Sequence, residues 1–186
     1  MRATSAKQNS LVLDRRSFLA GAAATLFVPV TLTVSARSAA AAATGVGAYI
    51  RVGDDNTVTL ITGQTEMGQG IGSGLAQIMA EELMLDWAQV RFEHAPVLPA
   101  TYGLPGWGVQ LTGGSTSTMM WYTPLRTAAA KAAQRLRAAA ALTHGGTQDQ
   151  WSLAVGGKLT HTTYGEKTFA SVLGQIANTS EPASVS

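Results

Sequence analysis

The residues with the clearest chemical potential form a glycine-rich segment that runs from Thr62 to Gly74. It follows a β-branched segment typical of a strand, and it leads into a segment with helical periodicity. Glycine lets a backbone approach a ligand closely, and the first turn of a helix offers free N–H groups at the positive end of its dipole. This arrangement favours the binding of a phosphate or another anion.

Two other interpretations of this segment remain open. Gly68, Gly70 and Ser73 nearly fit the G-x-G-x-x-G/A fingerprint of nicotinamide-dependent dehydrogenases. Asp86 or Glu93 would then be the acid that follows about 20 residues later. Alternatively, the segment is a glycine-rich turn that only permits close packing.

A second segment with the same properties runs from Thr112 to Thr118 and precedes a long Ala-rich helical segment. Ordinary N-capping explains one hydroxyl at such a position, but not four in succession. Two glycine and hydroxyl loops, each opening a helix, predict a ligand with two separated anionic groups. A dinucleotide-type cofactor has this chemistry.

Other kinds of catalytic centre are disfavoured. The chain has no cysteine, which excludes disulfides, zinc fingers, cysteine-ligated iron–sulfur clusters and cysteine catalysis within it. His94, His144 and His161 lack the spacing of a metal site, so no metal ligand is predicted. Ser115 and Ser117 have no G-x-S-x-G context, which disfavours a serine hydrolase.

The net positive charge of the chain comes from its first 36 residues. Of 186 residues, 13 are Lys or Arg and 11 are Asp or Glu. Up to Ala36 there are four basic residues and one acidic residue, a net charge of +3; the remainder has nine basic and ten acidic residues, a net charge of −1. A folded region without a basic excess is not expected to bind nucleic acid.

The beginning of the chain has the pattern of an export signal. Arg15 and Arg16 precede an uncharged stretch from Ser17 to Ala36 that ends in small residues, which resembles a twin-arginine signal. A retained membrane anchor is the alternative, but Pro29 and the scarcity of Leu and Ile favour cleavage. We therefore predict a periplasmic protein, which would contact the membrane only if its leader stayed uncleaved. The expected organisation is a signal and Ala-rich linker over 1–43, a partial domain over 44–178 and an unpaired tail over 179–186.

Hydrophobic patterning over the first half of the domain predicts a strand–helix–strand unit. Val46–Val52 and Thr57–Thr62 are expected to form a hairpin. An amphipathic helix over Ile71–Leu85 and a strand over Val90–Glu93 should complete a right-handed βαβ unit.

The second half is dominated by helical sequence. A long loop over Leu98–Gly114 precedes an Ala-rich helix that starts at Ser115 or Thr116 and ends near Thr143. Extended segments over 151–155 and 158–162 are followed by a short helix over Lys167–Ala177. The fold class is therefore α/β or α+β, with a small mixed sheet, an amphipathic helix and a long Ala-rich helix.

Several motifs together resemble the xanthine dehydrogenase/aldehyde oxidase superfamily. The resemblance is closest to the large, molybdenum-binding (beta) subunit of isoquinoline 1-oxidoreductase-like enzymes. The motifs are Glu66-Met67-Gly68-Gln69-Gly70, Leu75-Ala76-Gln77-Ile78, Ala80-Glu81-Glu82-Leu83, Asp86-Trp87, Val90-Arg91, Leu111-Thr112-Gly113-Gly114-Ser115-Thr116-Ser117, Pro124-Leu125-Arg126 and Tyr164-Gly165-Glu166.

The resemblance implies a molybdopterin cofactor that carries molybdenum, in its cytosine dinucleotide form. The domain over 44–178 would then be part of a molybdopterin-binding domain. The residues implied to bind the cofactor lie in the two glycine loops: Gly68, Gln69, Gly70 and Ser73 in the first, and Gly114, Ser115 and Ser117 in the second.

The implied activity is hydroxylation of an aldehyde or an N-heterocycle with oxygen from water, with electrons passing to a small subunit that carries [2Fe–2S] clusters. Such large subunits are several times longer, so this chain is expected to be an N-terminal fragment that lacks the C-terminal part of the subunit and is inactive alone. No catalytic residue is assigned, because none of Glu66, Glu81, Glu82, Glu93 and Glu166 lies in the family's catalytic motif. Glu81 and Glu82 are expected to form a solvated helix face. The alternative function is a non-catalytic exported domain that binds an anion or a nucleotide.

Overall fold

The computed structural model describes residues 43–185. Within these residues, seven strands and three helices follow one another, together with three 3₁₀ segments. The strands and helices are β1 (Ala43–Gly47), β2 (Ile50–Gly53), β3 (Val58–Thr62), α1 (Ile71–Glu82), β4 (Val90–His94), α2 (Pro99–Tyr102), α3 (Ser117–His144), β5 (Ser152–Ala154), β6 (Lys158–His161) and β7 (Gly165–Thr168). The 3₁₀ segments are Trp87–Gln89, Gln148–Gln150 and Ala170–Asn178.

A four-stranded mixed sheet has the order β1-β2-β3-β4. The β2–β3 hairpin is antiparallel, whereas β3 and β4 are parallel, with Thr62 opposite His94. The predicted hairpin, the strand–helix–strand unit and the α/β class with a small mixed sheet are confirmed. Because β3 and β4 are parallel, their carboxyl ends lie at the same edge of the sheet. Ligands in open α/β sheets bind outside such edges.

The prediction of a single strand over Val46–Val52 is wrong, because a turn at Ala48 and Tyr49 separates β1 from β2. Two hydrogen bonds tie this turn to α2. The Tyr49 hydroxyl donates to the Thr101 carbonyl at 2.6 Å, and the Tyr102 hydroxyl donates to the Ala48 carbonyl at 2.7 Å. The two tyrosine rings also meet edge to face. These long-range contacts favour a turn where local propensity favours a continuous strand.

The second sheet contains β5, β6 and β7 in antiparallel order. The predicted helix over Lys167–Ala177 is wrong at its start, since Lys167 and Thr168 belong to β7, where Lys158 of β6 pairs with Thr168. The buried Phe169 follows, and its N–H donates to the Gly157 carbonyl at 3.0 Å. A 3₁₀ segment begins only at Ala170. Pairing with β6 therefore places Lys167 and Thr168 in a strand, although their residue types do not favour one.

Other element boundaries shift by a few residues. α1 ends at Glu82 rather than Leu85, because Met84 has a φ of +51° and the Leu85 N–H donates back to the Ala80 carbonyl. The predicted loop over Leu98–Gly114 contains the single helical turn α2.

The core lies between α3, α1 and the mixed sheet. The buried face of α3 consists largely of alanine, which lets the helix approach its neighbours closely. Its buried apolar residues are Trp121, Leu125, Ala129, Ala132, Ala133, Leu136, Ala139 and Ala140. Leu75 and Met79 of α1 and Leu60 of β3 are fully buried in the same cluster.

The solvated face predicted for the two adjacent glutamates of α1 is only half correct. Glu81 is exposed, but Glu82 forms an ion pair with Arg126 of α3. This pair links the two helices at the surface, where such interactions contribute little to stability.

The segment 179–186, predicted as an unpaired tail, makes contacts at its start. Thr179 accepts a hydrogen bond from Arg135 at 3.1 Å, and Glu181 lies 3.5 Å from Lys131. The tail is therefore not free of contacts where it leaves the domain.

None of the helices within residues 43–185 is long and apolar enough to cross a membrane. The twin-arginine signal, its cleavage region and the alternative membrane anchor lie outside the described residues, except that Ala43 is the first residue of β1. Export to the periplasm therefore stays a prediction.

An aromatic cluster surrounds the fully buried Trp151 near the carboxyl end of α3. The rings of His144, His161 and Tyr164 lie with their centroids 5.8, 5.0 and 6.1 Å from that of Trp151. Burial, and secondarily the charge of Lys167, lowers the pKa of His144 below its usual value of 6.5. The neutral imidazole therefore suits the folded state better than the charged one.

This arrangement predicts a loss of stability in acid. As the pH falls below about 6.5, the unfolded chain gains a proton at His144 before the folded chain does, so the free energy of unfolding decreases. Urea denaturation of the wild type and of His144→Gln above and below that pH measures the effect. The variant should show a smaller decrease than the wild type, and equal decreases would contradict the assignment.

Candidate functional site

Both glycine loops meet at the carboxyl end of β3. The first loop (residues 63–70) connects β3 to α1, and the second loop (residues 111–116) precedes α3. The Thr65 N–H of the first loop donates to the Thr112 hydroxyl of the second at 2.8 Å. Segments that are almost 50 residues apart in sequence therefore form one surface.

The buried side chain of Gln64 connects the two loops by hydrogen bonds. It is only 1% exposed, and its Oε1 accepts hydrogen bonds from the Ser117 hydroxyl at 2.7 Å and from the Thr112 hydroxyl at 3.3 Å. Nδ1 of His94, at the end of β4, lies 3.1 Å from the Gln64 carbonyl oxygen. Sequence reasoning did not find Gln64, because a single glutamine in a loop belongs to no motif and its partners lie 30 to 53 residues away.

The residues predicted to bind the cofactor do not all have the same environment. Ser117 is buried, and its hydroxyl is engaged with Gln64. The other six are exposed on the two loops and the first turn of α1: Gly68, Gln69, Gly70, Ser73, Gly114 and Ser115. Their assignment as cofactor ligands stays a prediction.

A carboxylate holds the first loop in shape. Oε1 of Glu66 accepts hydrogen bonds from the N–H groups of Gly68 at 2.8 Å and Gly70 at 2.9 Å, and its Oε2 accepts one from Gly72 at 2.9 Å. Gly68 and Gly70 have φ values of +92° and +77°, in the left-handed region that favours glycine. The glycine spacing thus allows the backbone to curl around an anion that belongs to the chain itself.

These hydrogen bonds lower the pKa of Glu66 below its usual value of 4.5. The N–H of Gly72 has the largest effect, followed by that of Gly70, while partial burial opposes them. The group is therefore a carboxylate at neutral pH. An external anion that binds to the same three N–H groups must displace it.

Glu66→Gln is expected to loosen the first loop. An amide has one acceptor oxygen in place of two and lacks the charge that strengthens hydrogen bonds to a carboxylate. Hydrogen exchange of the Gly68, Gly70 and Gly72 amides should become faster in the variant. Glu81→Gln, on the exposed face of α1, is the matched control and should leave these rates unchanged; unchanged rates in Glu66→Gln itself would show that the carboxylate does not hold the loop.

The second loop leads into α3, whose N-terminus has no side-chain cap. Gly114 and Ser115 have φ values of +61° and +55°. The Thr116 hydroxyl donates to the Gly113 carbonyl at 2.8 Å instead of capping α3, which has no side-chain cap at its beginning. Within residues 43–185, no N-cap side chain accepts from the first-turn N–H groups of this 28-residue helix, and an anion placed there would meet the positive end of its dipole.

No group of three or more His, Asp or Glu side chains within residues 43–185 is arranged to hold a metal ion. His94, His144 and His161 lie on β4, at the end of α3 and on β6. What the described site offers is hydrogen-bonding backbone, neutral polar side chains and the carboxylate of Glu66.

The chain belongs to a known class of cofactor-binding domains. The molybdopterin cofactor-binding domain family matches residues 7–185, so the chain is a member of that family. The family resemblance predicted from the motifs is confirmed.

Three curated relatives are oxidoreductases or dehydrogenases by name. The beta subunit of isoquinoline 1-oxidoreductase of Brevundimonas diminuta is 37% identical over 92 residues, which are 49% of this chain and 12% of the relative. One of the subunits of nicotinate dehydrogenase of Pseudomonas putida is 39% identical over 94 residues, which are 50% of this chain and 7% of the relative. Membrane-bound aldehyde dehydrogenase [pyrroloquinoline-quinone] of Gluconacetobacter polyoxogenes is 33% identical over 106 residues, which are 57% of this chain and 13% of the relative.

The chain thus spans between 7% and 13% of the length of these relatives. Among solved structures, quinoline 2-oxidoreductase from Pseudomonas putida 86 is similar, with a TM-score of 0.36 and 19% identity over 68% of this chain and 15% of that chain.

Proposed function

We propose that this chain is the N-terminal part of the large subunit of a molybdenum hydroxylase, and that its two loops bind the phosphates of a molybdopterin dinucleotide. Membership of the molybdopterin cofactor-binding domain family supports the choice of cofactor. The names of the relatives, isoquinoline 1-oxidoreductase and nicotinate dehydrogenase, support oxidation of an N-heterocycle, and that of the aldehyde dehydrogenase supports an aldehyde.

The observation that carries the proposal is that Gln64 connects both loops by hydrogen bonds. The hydroxyls of Ser117 and Thr112 both donate to the side chain of Gln64. These hydrogen bonds hold the uncapped N-terminus of α3 beside the first loop. A ligand with two anionic groups therefore meets two sets of backbone N–H groups without a change of fold.

The residues present suit such a ligand. Gly68, Gln69, Gly70 and Ser73 would hold one phosphate, with Glu66 yielding the N–H groups that it occupies. Gly114 and Ser115 would hold the other phosphate together with the backbone N–H of Ser117, since the hydroxyl of Ser117 orients Gln64. The cofactor supplies the redox chemistry, and these residues bind and orient it.

The remainder of the enzyme follows from the same proposal. The rest of the large subunit would provide the catalytic base and the other cofactor contacts, and a small subunit with [2Fe–2S] clusters would take up the electrons. The cofactor would be the cytosine dinucleotide, and the leader would direct the loaded protein to the periplasm. This chain alone would have no activity.

Metal and nucleotide analysis of the complete large subunit tests the proposal. The proposal predicts that the reading frame downstream of codon 186 encodes the rest of that subunit. We expect molybdenum and cytidine nucleotide in equal amounts in the purified protein, and loss of both in Ser115→Asp, which adds a negative charge to the second loop. Ser180→Asp, with the same charge outside both loops, should retain the cofactor.

Other results would contradict the proposal. If the protein contained pyrroloquinoline quinone and no molybdenum, its cofactor would be the one named for the aldehyde dehydrogenase relative. A terminator directly downstream, together with an absence of molybdenum, would favour a non-catalytic exported domain that binds an anion or a nucleotide.

A further inference from the structure

A groove of about 590 Å³ lies between α1 and α3, and none of the described residues that line it belongs to either glycine loop. Two aromatic side chains of the groove, Trp87 and Tyr122, are 48% and 47% exposed. Met119, one turn before Tyr122 on α3, is 73% exposed. An exposed group of large apolar side chains is typical of an interaction site.

The residue types along the groove favour a protein surface over a small molecule. Trp, Tyr and Arg dominate the binding energy of protein interfaces, and the groove contains one of each. The arginine is Arg126, whose guanidinium lies 5.6 Å from the centre of the Tyr122 ring. A small-molecule site encloses most of its ligand, whereas the polar side chains of this groove are all exposed or half-exposed: Gln77, Glu81, Glu82 and Arg126.

The charges of the groove are only partly paired. Nε of Arg126 donates to Glu82, but the Arg126 side chain is 50% exposed and carries further donors. Glu81, the preceding residue on α1, is exposed and forms no ion pair with any other residue in 43–185. Because a guanidinium can bind a second carboxylate, one positive and one negative group are available for contacts with another molecule.

These two groups are placed so that the surface is complementary to itself. Glu82 and Arg126 pair across the groove, so Glu81, beside Glu82, lies at nearly the same level along the groove as Arg126. In an isologous dimer with its two-fold axis along the groove, α1 of one copy lies over α3 of the other. Glu81 of each copy then faces Arg126 of the other copy, and the contact forms twice.

We propose that this groove is the interface of a two-fold dimer of the chain, in which Glu81 of each copy pairs with Arg126 of the other. Trp87, Tyr122 and Met119 form the apolar contact, which provides most of the affinity, while the ion pairs determine the orientation. The dimer does not depend on the proposed function, since the groove contains none of the residues assigned to the cofactor.

Sedimentation equilibrium of the 186-residue chain, from micromolar to submillimolar concentration, tests the dimer. The wild type should show a reversible monomer–dimer equilibrium. Glu81→Arg and Arg126→Glu should each raise the dissociation constant at least about tenfold, because like charges would then face each other twice in every dimer. Asp54→Arg makes the same charge change as Glu81→Arg on the exposed β2–β3 turn, so it is the matched control and should leave the equilibrium unchanged.

A mixture of the Glu81→Arg and Arg126→Glu proteins tests the contact itself. In a mixed dimer, one copy contributes two positive groups and the other contributes two negative groups, so both contacts again join opposite charges. We expect the mixture to dimerise with the affinity of the wild type, although each variant alone dimerises weakly.

Three results would overturn the inference. A mixture that stays monomeric where the wild type dimerises would show that Glu81 and Arg126 do not meet. A wild-type equilibrium in either single variant would place the interface elsewhere on the domain. A wild type that is monomeric at every concentration would exclude the dimer and leave the groove to another chain, such as the rest of a longer subunit.

Discussion

Gly63→Ala is expected to lower the midpoint of thermal unfolding by about 6–12 °C, which corresponds to roughly 3 kcal/mol for a domain of this size. A Cβ at position 63 would lie 2.4 Å from the carbonyl oxygen of Tyr102 and 3.2 Å from its Cβ. Because the obstacle is backbone, relief of this contact requires movement of α2. That helix is fixed to the β1–β2 turn by the reciprocal hydrogen bonds of Tyr49 and Tyr102.

Gly74→Ala is the matched control for this prediction. Gly74 lies inside α1, and a Cβ there meets nothing within 4 Å. Alanine is a better helix former than glycine by about 1 kcal/mol, so this substitution should raise the midpoint slightly. Differential scanning calorimetry of both variants measures the contrast. A Gly63→Ala protein as stable as the wild type would contradict the close approach of α2 to the first loop.

Arg135→Met is expected to destabilise the domain by at least about 3 kcal/mol, since hydrogen bonds from a charged donor contribute roughly 1.5–3 kcal/mol each. The Arg135 guanidinium, on α3, donates to the Val46 carbonyl at 2.7 Å and to the Ile176 carbonyl at 2.9 Å. It also donates to the Thr179 hydroxyl. One side chain therefore connects β1, the last 3₁₀ segment and the start of the tail. Methionine replaces the apolar stem of arginine without its donors.

Arg135→Lys separates the geometry of the guanidinium from its charge. Lysine retains the positive charge but lacks the planar fork that reaches two carbonyls at once. Its loss in urea denaturation should lie between that of the wild type and that of Arg135→Met. If lysine proves as disruptive as methionine, the planar geometry alone determines the effect; if neither variant loses stability, the connection is unimportant.

The parts of the fold that sequence predicts well are those set by local pattern. The β-branched run Val58–Thr62 and the helical spacing of Leu75, Met79 and Leu83 indicated the hairpin and the strand–helix–strand unit. The parts that it missed depend on distant contacts. The turn at Ala48 is fixed by Tyr102, 54 residues away, and β7 forms by pairing with β6 although Glu166–Thr168 has no strand pattern.

The candidate site shows the same division. Glycine and hydroxyl spacing located both loops, because a need for positive φ and close approach is visible in residue types. The roles of Glu66 and Gln64 were not visible. Glu66 accepts hydrogen bonds from three N–H groups only because the loop curls around its carboxylate. Gln64 accepts a hydrogen bond from Ser117, which is 53 residues away in sequence. A side chain whose partners are set by tertiary structure gives no signal in the spacing of its own segment.

The family assignment leaves the chemistry of the complete enzyme as a proposal. The chain covers at most 13% of the relatives considered, and function depends on sites rather than on fold. The described residues provide backbone N–H groups suited to an anion, which are binding elements. Under the proposed function, the rest of the large subunit would provide the catalytic groups.

The central claim is that the two loops form a single phosphate-binding site, and the most direct measurement is a ¹⁵N resonance titration of the 186-residue chain with cytidine 5′-diphosphate. We predict that the amides of Gly68, Gln69, Gly70, Gly114 and Ser115 shift together with one dissociation constant. Shifts confined to one loop, shifts at unrelated residues, or no shifts at millimolar ligand would contradict a shared site.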